Sequence, residues 1–341
     1  MQKAPFKLGI LGAANIAHPF ARALVGSETV SVAAIASRSS ATAKDFAQTH
    51  GIATHYGSYQ ALLEDPAIEG VYIPLPNHIH AEWAIKAMEH GKHVLCEKPL
   101  CMSLAEAEAM FATAEKNKVM LLEAFPYWFQ PQTRELMKLV HGSVLGEVKT
   151  IQASFGFTLK EPNGNIRMSR EMGGGALFDA GAYPVSLACV VMCEAPVRVS
   201  ASPVWSAEGA ANGVDMSMVA TLEFSDNRTA QISCAMNTAN HRHATIMGTE
   251  GTIETDYLNH TSVEMPGILR VRRGTVYNTP FENIPTKVIG SGFKFAAEAF
   301  ADGVRRDDQF SMEYAKRASL DTAKTLEAIA KSARTGVTVG L

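Results

Sequence analysis

The sequence lacks a run of apolar residues long enough to cross a membrane, because no stretch reaches the roughly 18–20 residues that a spanning helix needs. It also lacks a strong excess of charge. The formal net charge is −3, which is too weak a field to recruit nucleic acid or an anionic membrane surface. The N-terminus, MQKAPFKLGI, enters a strand-like run at once, without a charged and then apolar leader. We therefore expect a cytoplasmic protein with no nucleic-acid or membrane partner.

Cysteine is scarce, and its spacing matches neither a disulfide framework nor a zinc site. The five cysteines are Cys96, Cys101, Cys189, Cys193 and Cys234. We interpret them as buried thiols, since free cysteine packs like a small hydrophobic residue. His241 and His243 alternate onto one face of a predicted strand, but no third ligand of matching spacing accompanies them. We predict no metal site.

The chain is longer than one compact core usually holds, so its 341 residues suggest two domains. Over the first 125 residues, β-branched runs alternate with longer alanine-rich amphipathic ones, which predicts an α/β fold with a doubly wound parallel sheet. The predicted strands there are Lys7–Leu11, Val30–Ala36, Val71–Ile73, His93–Cys96 and Val119–Leu122. The predicted helices are Ala14–Val25, Ala41–His50, Ala81–Glu89 and Leu104–Lys116.

After Pro131 the pattern changes to one strand after another, which predicts an α+β domain with an open, mostly antiparallel sheet. The predicted strands are Glu147–Thr158, Val197–Val204, Met216–Phe224, Thr229–Met236, His243–Met247 and Thr252–Thr255. The predicted helices are Thr133–His141, a stretch ending near Met192, Phe293–Arg306 and Met312–Ala333. We place a dinucleotide-binding Rossmann domain at 1–125 and a substrate-binding and oligomerisation domain at 126–341. Whether the C-terminal helix, 312–333, packs back on the first domain stays open.

A dinucleotide fingerprint follows the first predicted strand. The segment Gly12-Ala13-Ala14-Asn15-Ile16-Ala17 has the form G-x-A-x-x-A, in which the first glycine makes the tight turn. Ala14 is its weak point, because a methyl group stands where the backbone approaches the pyrophosphate most closely. The context favours the fingerprint, since the segment ends a strand and begins a helix whose free N–H groups suit an anion.

The end of the second predicted strand indicates the choice of cofactor. NAD enzymes usually have an acidic residue there, which holds the ribose 2′-hydroxyl. This chain has Ser37-Arg38-Ser39 instead. A hydroxyl and a guanidinium suit a 2′-phosphate, so we predict NADP, with NAD as the alternative.

Two further segments carry a family resemblance. Pro76-Asn77-His78-Ile79-His80 follows the predicted strand Val71–Ile73, and Glu97-Lys98-Pro99 follows the predicted strand His93–Cys96. The second segment, further along the chain, is Gly173-Gly174-Gly175-Ala176-Leu177-Phe178-Asp179-Ala180-Gly181-Ala182-Tyr183. With the opening Gly-Ile-Leu-Gly-Ala-Ala-Asn-Ile-Ala, they resemble the glucose–fructose oxidoreductase, inositol dehydrogenase and MocA family over essentially the whole chain. Tyrosine at 183 resembles the branch of NADP-dependent dihydrodiol and D-xylose dehydrogenases.

The resemblance implies roles for individual residues. Lys98 is expected beside the nicotinamide and the substrate oxygen, with its bond to Pro99 cis, and Asp179 and Tyr183 are expected to face the reacting carbon. These three are the predicted catalytic residues. The residues predicted to bind the cofactor are Gly12, Ala14, Asn15, Ile16, Ser37, Arg38, Leu75, Asn77, His80, Glu97 and Lys98.

The chemistry of these residue types agrees with such roles. Hydride transfer to a carbonyl leaves an alkoxide that needs a proton donor, and the reverse reaction needs a base. The ordinary pKa of tyrosine, about 10, is too high for easy base work, but a nearby lysine ammonium lowers it. Asp179 could orient Tyr183 or the substrate hydroxyls. Helical spacing would put both on one face, although Pro184 is expected to break the helix near Gly181.

The substrate pocket is less defined. The segment Glu123-Ala124-Phe125-Pro126-Tyr127-Trp128-Phe129-Gln130-Pro131 has tryptophan and glutamine where relatives often carry arginine and histidine. Tyr127, Trp128, Phe157 and Arg170 are candidate pocket walls, although aromatic residues in such places often serve packing alone.

We predict an NADP-dependent dehydrogenase or reductase of a sugar, polyol or diol. The alternatives are an NAD-dependent glycosidase of the same family and a non-catalytic nucleotide-binding sensor. A homodimer or homotetramer is expected, because an open sheet leaves one face to cover. The apolar runs Val197–Val204 and Met216–Phe224 are the candidates for that face.

Overall fold

The computed structural model describes residues 4–286, 288–307 and 309–341. The chain divides into two compact units. The first comprises Met1–Cys101, Ala105–Pro126 and Ser291–Arg317, and the second comprises Met102–Leu104, Tyr127–Gly290 and Ala318–Leu341. Within the described ranges, no helix has both the length and the apolar composition to cross a membrane.

Strands and helices occupy most of both units. The strands are β1 (Phe6–Leu11), β2 (Val30–Ala36), β3 (Thr54–Tyr56), β4 (Gly70–Ile73), β5 (His93–Glu97), β6 (Leu121–Ala124), β7 (Val148–Thr158), β8 (Arg198–Trp205), β9 (Asp215–Glu223), β10 (Thr229–Ala235), β11 (Asn237–Gly248), β12 (Gly251–Thr255), β13 (Ile268–Arg273), β14 (Glu282–Pro285) and β15 (Val339–Gly340). The α-helices are α1 (Ala17–Ala23), α2 (Ser40–His50), α3 (Tyr59–Leu63), α4 (His80–Glu89), α5 (Leu104–Asn117), α6 (Pro131–His141), α7 (Ala182–Met192), α8 (Gly209–Asn212), α9 (Gly292–Arg306) and α10 (Gln309–Thr335).

The first unit contains a six-stranded sheet in the order β3-β2-β1-β4-β5-β6, and every pairing in it is parallel. The chain moves outward from β1 to β3, returns to place β4 beside β1, and then moves outward to β6. The predicted doubly wound sheet is confirmed. In such sheets, ligands bind where the strand order reverses, beyond the carboxyl ends of the strands. That point lies between β1 and β4.

Three local features of this unit differ from the sequence prediction. β3 and α3 have only three and five residues, too few for a periodic signal, and neither was predicted. Helix α1 begins at Ala17 rather than Ala14, because the fingerprint segment forms a turn before the helix starts. The N–H of Ala17 donates to the carbonyl of Ala14 within that turn, at 2.9 Å.

The second unit contains a nine-stranded sheet in the order β14-β13-β12-β11-β7-β10-β9-β8-β15. Its pairings are antiparallel except for the parallel pair β7 and β10, which confirms a mostly antiparallel sheet. The turn at Ser225–Asn227 joins β9 to β10 as a hairpin. β13, β14 and β15 were not predicted. Arginines alternate with apolar residues in β13, and β14 and β15 are very short.

The two faces of this sheet differ in polarity. Val199, Met218 and Ile232 point to one face and are buried, and helix α7, whose residues are all buried, packs against β7 and β10. Alternate residues such as Ser202 and Gln231 point to the other face and are exposed. The sequence analysis expected the apolar runs Val197–Val204 and Met216–Phe224 to form the open face of the sheet. That expectation is mostly wrong. Period-two alternation turns most of their apolar side chains inward.

The segment before α7 corrects a second expectation. Leu177–Gly181 forms a π-helical turn, and α7 continues directly from it. Pro184 lacks an N–H and was expected to break the helix near Gly181. Instead it stands in the first turn of α7, where an N–H has no helical partner, and Gly181 keeps helical dihedral angles (φ −65°, ψ −25°).

The compact units also differ from the domain boundary drawn on the sequence. Ser291–Arg317, which contains α9, groups with the first unit, and α10 is divided between the units at Arg317. Of the five cysteines, Cys193 is exposed and the other four are buried. Cys193 has a left-handed conformation (φ 59°) immediately after α7, which carries its side chain out of the apolar helix.

Candidate active site

The turn after β1 is built for close approach to a ligand. Gly12 has φ +114°, and its N–H donates to the carbonyl of Ala36 at 2.9 Å. A Cβ atom at this position would lie 2.8 Å from Cδ2 of Leu75, so only glycine fits. The structure thus brings Leu75 to the fingerprint turn. Asn15 and Ile16 are exposed at the N-terminal end of α1.

Arg38 lies beside this turn. Ser37 is buried and Arg38 exposed where β2 ends. Burial raises the pKa of Tyr59, and Arg38 opposes that rise through its charge and a hydrogen bond. The hydroxyl of Tyr59 lies 3.7 Å from the position that a Cβ of Gly12 would occupy. Tyr59 therefore connects the guanidinium to the dinucleotide turn.

The loop after β5 carries Lys98 on a buried support. Its bond to Pro99 is cis, as predicted. The carboxylate of Glu97 is buried, accepts the hydroxyl of Tyr72 at 2.6 Å and accepts the N–H of Lys98 at 3.2 Å. Glu123 accepts the N–H of Leu100 at 2.8 Å. These contacts suit Glu97 for fixing the course of the loop, whereas Lys98 is half-buried.

His80 ties the two ligand-facing loops together. Its ring is fully buried, with Nδ1 2.9 Å from the carbonyl oxygen of Pro99 and Nε2 2.7 Å from that of Leu75. Burial lowers the pKa of His80, and the two carbonyls partly offset this because each accepts best from a protonated nitrogen. Both nitrogens of His80 therefore contact backbone carbonyls. Asn77, in the same motif, is half-exposed.

In the second unit, the glycine run sets the start of the segment that carries Asp179 and Tyr183. A Cβ at Gly174 would lie 2.4 Å from the carbonyl oxygen of Arg167, and one at Gly175 would lie 2.1 Å from Oδ1 of Asp215. The other oxygen of Asp215 accepts the N–H of Leu177 at 2.7 Å. The glycines therefore allow a buried carboxylate to approach the first turn of the helix.

Asp179 is paired with Arg167, which the sequence analysis did not identify. Oδ2 of Asp179 lies 2.5 Å from Nε of Arg167, and the carboxylate is largely buried. The guanidinium also lies 6.0 Å from the ring centre of Phe157, one of the predicted pocket walls. An isolated arginine before a glycine run gives no periodic signal, so sequence alone could not have paired it with Asp179.

Tyr183 lies within a cluster of aromatic rings. It is 5% exposed, and its hydroxyl oxygen accepts Nδ2–H of Asn259 at 3.0 Å. The ring of Phe155 meets it edge to face at 5.2 Å. The guanidinium carbon of Arg242 lies 4.3 Å from its ring centre. The sequence analysis identified neither Arg242 nor Asn259 as a neighbour of Tyr183. Strand alternation could have placed Arg242 on the inner face of β11, because His241 and His243 point to the other face.

The predicted pocket walls occupy different environments. Tyr127 is fully buried, and its hydroxyl is 2.8 Å from Oγ of Ser186 and accepts Nε1–H of Trp128 at 2.9 Å. Its ring therefore packs inside the cluster, and burial raises its pKa. Trp128 and Phe157 are half-exposed. Arg170 is exposed and donates to the carbonyl of Ala211.

The metal prediction concerns His241 and His243, which are both exposed on the outer face of β11. Nδ1 of His243 lies 3.5 Å from Oδ1 of Asp256, at the outer limit of an ion pair. Among the described residues, no group of three or more histidine, cysteine or acidic side chains could hold a metal ion.

Comparison with known proteins defines the class. Residues 6–125 match the model of the GFO/IDH/MocA oxidoreductase family with an NAD-binding Rossmann fold. Residues 133–254 match the model of a GFO/IDH/MocA C-terminal domain. The chain therefore belongs to the GFO/IDH/MocA family of oxidoreductases.

Two curated relatives and two solved structures illustrate the similarity. A D-xylose 1-dehydrogenase (NADP(+)) of Haloferax volcanii is 35% identical over 98% of this chain and 99% of its own. A trans-1,2-dihydrobenzene-1,2-diol dehydrogenase of Danio rerio is 36% identical over 85% of each. The 3-ketoreductase KijD10 of Actinomadura kijaniata, solved with NADP and TDP-benzene, has a TM-score of 0.85 at 29% identity over 96% and 98% of the chains. An aldose-aldose oxidoreductase of Caulobacter crescentus, solved with glycerol, has a TM-score of 0.87 at 26% identity over 99% and 100%.

Asp215→Asn tests the cost of the buried carboxylate at the helix start. Burial raises the pKa of Asp215 from 3.8 to about 7, so between these values the folded chain binds a proton more tightly than the unfolded chain. Its contribution to the free energy of unfolding should therefore fall as the pH rises from about 4 to about 7, by up to about 4 kcal/mol. Urea unfolding of the variant should lack this decline. An identical decline in both proteins would assign it to another group.

Proposed function

We propose that this chain is an NADP-dependent oxidoreductase that transfers a hydride between the nicotinamide and a carbon of a sugar, polyol or diol. Two observations together carry the proposal. Both parts of the chain match models of one oxidoreductase family, and a relative that aligns with 98% of the chain is a D-xylose 1-dehydrogenase (NADP(+)). The dihydrobenzene-diol dehydrogenases and the NADP-bound ketoreductase extend the range of relatives to diols and keto sugars.

The residues of the first unit fit NADP. The turn at Gly12 has no room for a Cβ beside Leu75, and it lies at the point where the strand order reverses. Ser37 and Arg38 supply a hydroxyl and a guanidinium for a 2′-phosphate, and Ser39 accepts the N–H of Thr42 at the start of α2. When bound, NADP supplies the acceptor or donor of the hydride. Asn77 and the Lys98 loop would line the nicotinamide side.

Lys98, Asp179 and Tyr183 are the proposed catalytic residues. During oxidation, the phenolate oxygen of Tyr183 would accept the hydroxyl proton of the substrate. The hydrogen of the C–H bond would leave as hydride, with the electron pair, for the acceptor that NADP supplies when bound. During reduction the phenol returns that proton. The ammonium of Lys98 stabilises negative charge on the substrate oxygen, and the Arg167–Asp179 pair positions substrate hydroxyls. Structures of KijD10 with a lysine or a tyrosine substituted support this pairing, because the two residues are separated by nearly the same length of chain as Lys98 and Tyr183.

A substrate screen distinguishes the proposed function from its alternatives. Purified protein with NADP is given aldoses, polyols, diols and dicarbonyls while the absorbance of reduced cofactor is followed. Reduction of NADP by a sugar or diol supports the proposal. Hydrolysis of an aryl glycoside with bound NAD would favour the glycosidase instead. Cofactor binding without turnover on any compound would favour a sensor.

Tyr183→Phe should lower turnover by about 10²- to 10⁴-fold, the usual contribution of a general acid–base group. The variant keeps the ring and its packing, so the Kd for NADP, measured by fluorescence titration, should stay within about threefold. Tyr257→Phe is the matched control. It removes a buried hydroxyl that donates to the carbonyl of Ser154 at 2.7 Å, and it should leave turnover nearly intact. Full activity of Tyr183→Phe would remove Tyr183 from this role.

Arg38→Ala should weaken NADP binding by about 10- to 100-fold and leave NAD binding nearly unchanged, because a charge-assisted contact to the phosphate contributes roughly 1.5–3 kcal/mol. Ser37→Asp should reverse the preference by repelling the phosphate and accepting from the ribose hydroxyls of NAD. Calorimetric titration with both cofactors measures these changes. Equal losses for NAD and NADP, or a wild type that prefers NAD, would contradict the assignment.

We also propose that the chain forms a homodimer or homotetramer through the outer face of the nine-stranded sheet. Val204 and Val219 are more than half exposed on that face, among small polar side chains that allow close approach. Light scattering at micromolar concentration should therefore give at least twice the chain mass of 36.7 kDa. Val219→Lys should lower that mass, since it buries a charge in the contact. A wild-type mass of one chain would refute the proposal.

A further inference from the structure

Arg242 and Asn259 surround the proposed acid–base tyrosine in the second unit, and no role has so far been assigned to either. We propose that they are positioning residues that favour the phenolate form of Tyr183, the guanidinium from the face of its ring and the amide from its oxygen. This proposal rests on the proposed function, in which Tyr183 exchanges a proton with the substrate.

Arg242 reaches the cluster from β11. It is paired in register with Phe155 of β7, and its neighbours His241 and His243 point to the opposite, exposed face. Its guanidinium carbon lies 4.3 Å from the ring centre of Tyr183, 4.4 Å from that of Tyr257 and 4.9 Å from that of Phe155. Such distances are typical of cation–π contact, which strengthens when the cation is desolvated.

Among the residues that the structure describes, no acidic side chain forms an ion pair with Arg242. Its Nε and Nη2 are buried, and in the part of the chain that the structure describes they have no hydrogen-bond acceptor. The aromatic rings around the guanidinium, together with its hydrogen bond to Tyr257, take the place of an acidic partner. A positive charge held in this way favours an anion on an adjoining ring, and ionisation of a tyrosine is the change that supplies one.

Hydrogen bonds distinguish Tyr183 from the other tyrosines of the cluster. The hydroxyl of Tyr257 donates to the carbonyl of Ser154 at 2.7 Å, which requires the protonated phenol. The oxygen of Tyr183 accepts Nδ2–H of Asn259 at 3.0 Å, and a donor at this oxygen stabilises the phenolate. Arg242 also hydrogen-bonds the oxygen of Tyr257, but the proton of Tyr257 is held by the carbonyl of Ser154. Of these two tyrosines under one guanidinium, Tyr183 is therefore the one that we expect to ionise first.

The other tyrosines, the thiol and the histidine around the cluster are neutral near pH 7. Burial raises the pKa values of Tyr127, Tyr257 and the Cys234 thiol, and Arg242 opposes the rise in both tyrosines. Burial and then Arg242 lower the pKa of His260. The carboxylate of Asp179, on the preceding turn, is paired with Arg167. Arg242 is thus the cation through which the cluster acts on Tyr183.

Arg242→Met and Arg242→Lys separate charge from packing. Methionine fills the space without charge, whereas lysine restores a cation over the ring. For Arg242→Met, the midpoint of the pH profile of kcat/KM in the oxidation direction should rise by about one pH unit, with about tenfold lower activity below it and little loss at high pH. Arg242→Lys should stay within about threefold of wild type. Asn259→Leu removes the donor independently and should also raise the midpoint.

Arg272→Met is the matched control. Arg272 contacts the ring of Phe281 at 4.3 Å and also has a buried Nε without an acceptor among the described residues, but no tyrosine of the cluster adjoins it. Its pH profile should equal that of wild type. The ionisation itself is measured by near-ultraviolet absorbance of the tyrosinate, taken as the difference between wild type and Tyr183→Phe in each background, so this readout needs no substrate.

The outcomes separate the two proposals. If Tyr183→Phe abolishes turnover while Arg242→Met and Asn259→Leu leave the midpoint and the tyrosinate titration unchanged, the positioning role is wrong and the proposed function stands. If Tyr183→Phe is fully active, the acid–base role itself fails. A loss in Arg242→Met that is equal at every pH and is not rescued by Arg242→Lys would reduce Arg242 to packing, which would also overturn the proposal.

Discussion

The buried carboxylate of Asp215 holds the start of the helical segment that carries Asp179 and Tyr183. It accepts the N–H of Leu177 and lies where a Cβ of Gly175 would be. A helix normally begins with unsatisfied N–H groups, and here a side chain from β9 satisfies one of them. The π-helical turn and α7 follow from that start. Burial makes the arrangement costly, as the raised pKa of Asp215 reflects, and the hydrogen bond from Leu177 offsets part of that cost.

The segment that carries the proposed catalytic residues Asp179 and Tyr183 takes its orientation from this start. Within the π-helical turn Asp179 meets Arg167, and one turn later Tyr183 enters the aromatic cluster. In the first unit, buried polar groups serve the same purpose, because Glu97 and His80 hold the Lys98 loop through backbone contacts. In both units, buried charged or polar side chains fix the backbone and leave the proposed reacting groups to the ligand.

The family motifs could be recognised from the sequence because they combine unusual residues at fixed spacing. Gly12, the Glu97-Lys98-Pro99 segment and the glycine run before Asp179 all have backbone requirements that few other sequences meet. The parallel sheet was readable from the regular alternation of strand and helix. The family resemblance and the parallel sheet could both be predicted because each depends on a pattern of residues close together in the chain, which a single sequence shows.

Contacts between residues that are far apart in the chain could not be predicted from the sequence. Arg242 meets Tyr183 only because β11 pairs with β7, and nothing in the spacing of the two residues indicates this. The same holds for Arg167 and Asp179. Pro184 misled the prediction because a π-helical turn before it accommodates the missing N–H. The polarity of the outer sheet face was predicted wrongly because the prediction used the apolar composition of β8 and β9 and ignored that successive side chains point to opposite faces.

Isotope transfer tests the central claim most directly, namely that the chain moves a hydride from a substrate carbon. A sugar or diol oxidised in the screen is prepared with deuterium at the reacting carbon, and the reduced NADP is isolated and weighed by mass spectrometry. The account predicts that the cofactor retains the deuterium and that its formation slows with the labelled substrate. Reduced cofactor without deuterium, or label released to water, would contradict it.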